Sequence, residues 1–145
     1  MFSSPQTFGA RPAFASAYKS VGAATSIEGA SPHKLVSLLY AALATEIASA
    51  RGAIARGDVP EKLRAVSKAI RLIDEGLKAP LDLRAGELAQ NLHDLYEYMI
   101  QRLTLANLHN DDAKLAECAN LTQTLREGWD GIAEQVHAAP VTAAA

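Results

Sequence analysis

From residue 31 onward, large apolar residues recur three or four positions apart through four successive stretches, and that spacing leaves little choice of fold. A period near 3.6 gathers such residues onto one stripe of an α-helix, whereas a half-buried strand needs strict alternation. The last stretch is the most regular. Leu115, Cys118, Thr122, Leu125, Trp129, Ile132 and Val136 keep a heptad rhythm to an expected end near His137. The first stretch carries Leu35, Leu39, Leu43, Ile47, Ala50 and Ile54, with Val36, Leu38 and Tyr40 widening the apolar arc to roughly 200°. The second carries Leu63, Val66, Ile70, Ile73 and Leu77, and the third Leu88, Leu92, Leu95, Met99, Leu103 and Ala106.

Punctuation falls between these stretches. Ser31 can cap a helix whose first position is Pro32, where a missing N–H costs nothing, and Gly57 ends it after about Arg56. Asp58 caps the next, with Pro60 in its first turn, and Pro80 stops it after about Ala79. The third helix is expected from about Ala85 to Asn110, followed by a tight link at Asn110-Asp111. Helices of similar length on short links pack as antiparallel neighbours, so residues 31–137 read as an all-α, antiparallel four-helix bundle. No strand pattern and no solenoid-type repeat interrupts it.

The termini differ. Residues 1–30 are rich in Ser, Ala, Gly and Pro and carry only Arg11, Lys19 and Glu28 as charges, which reads as a flexible N-terminal segment. All three phenylalanines nevertheless lie there, Phe2, Phe8 and Phe14, and the set Phe14, Tyr18 and Val21 shares one face of a short amphipathic helix. Either the aromatics are incidental to a loose terminus or the segment docks on the bundle. Residues 138–145 read as a disordered tail.

Composition removes several classes of function. A formal net charge of −2 offers no cationic cluster for a polyanion, so no nucleic-acid partner is expected. No apolar run reaches the ~18 residues of a membrane span, and no basic start with an apolar stretch marks a secretory signal, which leaves the cytoplasm and no membrane insertion. The lone Cys118 excludes an internal disulfide and reads as a small buried hydrophobe.

Catalytic constellations are missing as well. Ser31-Pro32-His33-Lys34 matches the S-x-x-K of serine β-lactamases but lacks their companion motifs, and the same residues explain a helix cap. Glu134-Gln135-Val136-His137 is an E-x-x-H of the di-iron kind, yet its nearest counterpart, Gln90-Asn91-Leu92-His93, has an amide where the carboxylate must stand. His33, His93 and His109 show no ligand spacing. The chain therefore reads as a non-enzyme without catalytic residues, metal or cofactor. The cations Arg64, Lys68, Arg71 and Lys78, interleaved with Glu61 and Glu75, read as a solvated face.

What remains is a surplus of apolar residues. Leu72 lies roughly 140–180° from its seam, Tyr98 and Leu105 share a flank of the third helix away from Tyr96 and Ile100, and Leu108 is also off the stripe. Such residues form a groove for an amphipathic helix, make a dimer contact or reflect bundle asymmetry.

Ser31-Pro32-His33-Lys34-Leu35 resembles the opening of the first long helix in the FliS family of flagellar secretion chaperones. Ser67-Lys68-Ala69-Ile70, Ile73-Asp74-Glu75-Gly76-Leu77 and Leu81-Asp82 are similar to that family's second helix and its exit. Gly86-Glu87-Leu88-Ala89-Gln90-Asn91-Leu92, Leu95-Tyr96-Glu97-Tyr98-Met99, Ala106-Asn107-Leu108-His109-Asn110-Asp111 and Leu125-Arg126-Glu127-Gly128-Trp129 continue the resemblance in order, and Ala17-Tyr18 resembles the N-terminal segment. The chain departs from the family at Ala41-Ala42, where an acidic residue and glycine are common, at Ala85 in the Gly-Gly-Glu start of the third helix, and at Ala15. The resemblance implies a bundle that binds the C-terminal segment of flagellin, keeps it from polymerising prematurely, and docks with the cytoplasmic domain of the export gate. Partner contacts are then expected at Phe14, Tyr18, Leu72, Tyr98, Leu105 and Leu108, with the N-terminal segment covering part of the client groove until the client displaces it. The competing reading is a homodimeric regulatory bundle with no unfolded client.

Overall fold

The structure, a computed structural model, describes residues 14–18 and 31–138, with side chains as far as residue 132. Phe2, Phe8, Val21, the side chains of Glu134, Val136 and His137, and the C-terminal tail lie outside the described residues.

Every described element is helical: α1 Pro32–Arg56, α2 Val59–Arg71, α3 Glu87–His109 and α4 Asp112–Ala138. The start of α1 is built as its sequence reads. Ser31 has extended backbone, its Oγ accepts the Lys34 amide, and Pro32 follows at the first position. At the other end Gly57 adopts φ 70°, and the Gly57 and Asp58 amides return to the Ile54 and Ala53 carbonyls, satisfying two orphan acceptors. The α3–α4 link repeats the device with Asn110 at φ 53° and the Asp111 amide on the Ala106 carbonyl. In each link the next residue is an aspartate whose carboxylate accepts an amide of the following helix, Asp58 from Glu61 and Asp111 from Ala113.

Ion pairs and hydrogen bonds fix the antiparallel order. His33 and Ser37 at the start of α1 meet Trp129 and Asp130 near the end of α4, and Arg51 meets Asp112 at its beginning. The Lys62 ammonium, near the start of α2, donates to the Asn107 carbonyl (2.9 Å) and Asn110 Oδ1 (2.6 Å) at the end of α3. By length and composition α1 can cross a membrane, with a mean hydropathy of 1.2. Here it is a bundle helix packed between α2 and α4, and its Glu46 binds Arg64 of α2.

Three details differ from the sequence expectation. The stripe facing the core is often one residue over. In α1 Val36 and Tyr40 are buried rather than Leu35 and Leu39, and in α3 Ala89 and Tyr96 rather than Leu88 and Leu95. In α2 the inward positions are Lys62, Ala65, Val66 and Ala69, while Leu63 stands 52% exposed and Ile70 half-buried. Small alanines let α2 sit close to its neighbours, and the Lys62 stem lies inward because its ammonium caps α3. Secondly, α2 passes at Leu72–Lys78 into a π-helical stretch, where the Ala79 amide returns to the Asp74 carbonyl. Gly76 in that stretch lies against Leu39; a β-carbon there would stand 3.0 Å from Leu39 Cδ2. Thirdly, α3 starts two residues later than expected, after a 3₁₀ turn at Leu83–Ala85 and Gly86 at φ 136°. The α4 heptad is buried as read, from Leu115 to Ile132.

Candidate functional site

Residues 14–17 form one helical turn, and it docks at the end of the bundle where α1 begins and α4 runs out. Phe14 is half-buried, its ring edge-on to the Trp129 indole at a centroid distance of 4.9 Å and over Gly128, where a β-carbon would touch the ring. The Trp129 indole is clasped from its other neighbours too. The His33 imidazole stacks on it at 4.6 Å and 10°, and Tyr18 meets it edge-on at 5.6 Å. Two hydrogen bonds close this clasp: Trp129 Nε1 donates to the His33 carbonyl, and His33 Nε2 donates to the Trp129 carbonyl. Ala17 is fully buried, and its carbonyl accepts the Asp82 amide at 3.1 Å.

Tyr18, 1% exposed, goes deepest. Its hydroxyl bonds that of Tyr96 on α3, which in turn bonds that of Tyr40 on α1 at 2.6 Å. A hydroxyl carries one donor and two acceptors, so Tyr96 in the middle gives each of the three buried phenols a partner without water. Burial, followed by the neighbouring phenol, raises the pKa of each tyrosine well above its ordinary value. The sequence places Tyr40 and Tyr96 at the flanks of their stripes, because it gives no sign that a buried hydroxyl has found a partner.

The other expected contacts occupy separate places. Leu72 is half-buried and lines an open groove of about 560 Å³ with Arg64, Lys68, Arg71 and Gly76, on the side of α2 that meets Glu46 of α1. Tyr98, 38% exposed, lies on the α4 side of α3: its hydroxyl donates to Glu117, and the Arg102 guanidinium sits 5.5 Å from its ring centroid. The hydrogen bond from Tyr98, then that from Arg102, holds the Glu117 carboxyl below its ordinary range. Leu105 is half-buried two turns further along the same helix, and Leu108 stands 71% exposed beyond it. Thus Phe14 and Tyr18 come together at one end, Leu72 faces α1, Tyr98 and Leu105 share a flank of α3, and Leu108 is near the opposite end. Sequence reasoning missed Val59, 60% exposed, and Leu63, one turn apart on α2 beside the Lys62–Asn107 bond. The signal was available: Ala65 and Ala69 offer a competing inward stripe that turns Leu63 outward.

Among the described residues no group of His, Cys, Asp or Glu has the arrangement of a metal site. The Cys118 thiol is buried against the Met99 carbonyl, and burial pushes its pKa up to about 12, so it packs as a hydrophobe. Ser31 Oγ accepts the Lys34 amide as a helix cap.

Known proteins identify this arrangement. Residues 14–136 match the family model "Flagellar protein FliS", so the match takes in the docked turn as well as the bundle. The chain is 43% identical over 117 residues to the flagellar secretion chaperone FliS of Salmonella typhimurium, covering 80% of this chain and 87% of that protein. It is 45% identical over 116 residues to the flagellar secretion chaperone FliSB of Pseudomonas aeruginosa, covering 79% and 91%. A more distant relative, the flagellar secretion chaperone FliS of Bacillus subtilis, is 34% identical over 104 residues, covering 72% and 77%. With its bundle, its docked N-terminal turn and these relatives, the chain belongs to the FliS family of flagellar secretion chaperones.

Proposed function

We propose that this protein binds the C-terminal segment of flagellin in the cytoplasm, keeps it from premature assembly, and passes it to the cytoplasmic domain of the export gate. The observation that carries this reading is the dispersal of apolar side chains. Val59, Leu63, Leu83, Tyr98 and Leu108 are exposed on different faces and at both ends of the bundle. A rigid partner seated on one face reaches few of them, whereas an unfolded segment folding around the bundle can cover them all. Leu72, Tyr98, Leu105 and Leu108 are the client contacts of this reading, and Phe14 and Tyr18 belong to the turn that the client displaces. Burial on the chaperone offsets the ordering entropy of the client, so binding carries a large negative heat-capacity change.

Calorimetry tests it. Full-length flagellin is expected to bind one-to-one, and flagellin lacking its C-terminal segment not to bind; equal binding by the two would sink the reading. Deleting residues 1–24 tests displacement of the turn. If the docked turn closes the site about 90% of the time, deletion tightens binding about tenfold. Weaker binding after deletion would make Phe14 and Tyr18 part of the client site itself.

A further inference from the structure

Among the described residues, the docked turn meets the α2–α3 connection at Asp82. The amide of Asp82 donates to the Ala17 carbonyl. The same residue also holds the turn that follows: its Oδ1 accepts the Arg84 amide at 3.0 Å and the Arg84 guanidinium at 3.3 Å, and its carbonyl accepts the Ala85 amide at 2.9 Å. A single 3₁₀ turn of three residues has little stability of its own. Nor does the next element steady it. Helix α3 begins at Gly86 with no side-chain cap, and its first backbone bond, Gln90 to Gly86, is long at 3.4 Å. The connection therefore hangs between a packed Leu81 and a poorly capped helix start, with the N-terminal turn as its brace.

We propose that docking of residues 14–18 sets the order of the α2–α3 connection: release of the turn unlocks Asp82, loosens Leu83–Ala85 and frays the first turn of α3. The exposed pair at its tip, Leu83 and the almost fully exposed Arg84, is then displayed differently by empty and loaded chaperone. This is an order–disorder switch driven from the N-terminus. Its dependence on the client rests on the displacement proposed above; its dependence on the turn does not.

Amide hydrogen exchange on the full chain, read by NMR, tests it with three samples: the intact protein, a chain lacking residues 1–18, and Phe14→Ser, which loosens the turn while leaving Tyr18 in the chain. Asp82, Arg84 and Ala85 are expected to exchange at least tenfold faster in both variants, while Leu43 and Ile47 in the core of α1 stay protected and certify the fold. Exchange at Asp82 and Ala85 within twofold of the intact protein, in a variant whose Leu43 and Ile47 remain protected, overturns the proposal. Adding a peptide of the flagellin C-terminal segment to the intact chain separates the two ideas. A turn that leaves while Asp82 stays protected refutes the switch alone. A turn that stays docked with client bound refutes displacement alone, and the deletion variant still decides the switch.

Discussion

Three phenols at one buried point set the character of the molecule at the scale of single residues. Tyr18, Tyr40 and Tyr96 come from the N-terminal turn, α1 and α3, and each satisfies a hydroxyl that would otherwise cost about 1–3 kcal/mol to bury. Burial raises their pKa values in the folded state, so the trio's stabilisation is complete below about pH 10 and is lost as pH climbs from there through the folded values. Phenolate absorbance followed beside circular dichroism is expected to show these tyrosines ionising together with helix loss; phenolate beyond the one of the exposed Tyr98, appearing in a chain that keeps its helices, would contradict the buried trio. Cys118 gives a second expectation at this scale. Its thiol, buried and with a pKa of about 12, should stay unreactive toward a disulfide reagent at pH 8 until the chain unfolds.

At the scale of elements, the caps carry much of the specification. Gly57 takes φ 70° with open space around its α-carbon, so Gly57→Ala meets no clash and costs only the left-handed backbone, ~1–2 kcal/mol. The melting temperature of that variant is expected to fall by several degrees with the spectrum unchanged. Such signals are local, which is why both ends of α1, the Asn110-Asp111 link and the heptad of α4 were legible in the sequence. Registers were less so. In α3 the set Leu88, Leu95, Met99 and the set Ala89, Tyr96, Met99 are both plausible stripes, and only the partner helices choose between them. The larger aliphatic set misleads because a tyrosine is buried only where another element supplies its hydroxyl partner, and that partner lies 78 residues away. The π stretch escaped because none of its residues signals it; its glycine, Gly76, packs closely under Leu39.

For the molecule as a whole, the expected partner residues are neither one groove nor one face. Leu108 lies toward the end held by Lys62, while Tyr98 faces α4 through Glu117. On the proposed wrapping, contacts with separate parts of the client act independently, so the losses in binding free energy from Leu108→Asp and Tyr98→Asp are expected to add within about 0.5 kcal/mol in the double variant. A strongly non-additive cycle would point to a single shared pocket. Each change is at an exposed position, and melting temperatures should hardly move. The site that was least legible is the bundle end, because it is made of short pieces from the N-terminal turn, α1, α3 and α4 that meet only in three dimensions. Its central member, Trp129, is also the one tryptophan of the chain. All of the protein's indole emission therefore arises from a ring whose neighbours are Phe14, Tyr18 and His33, two of them on the docked turn. Undocking wets that ring, so a red-shifted spectrum and easier quenching by acrylamide register the loss of the turn in unlabelled protein. The chaperone carries its own optical gauge of whether its N-terminus is home.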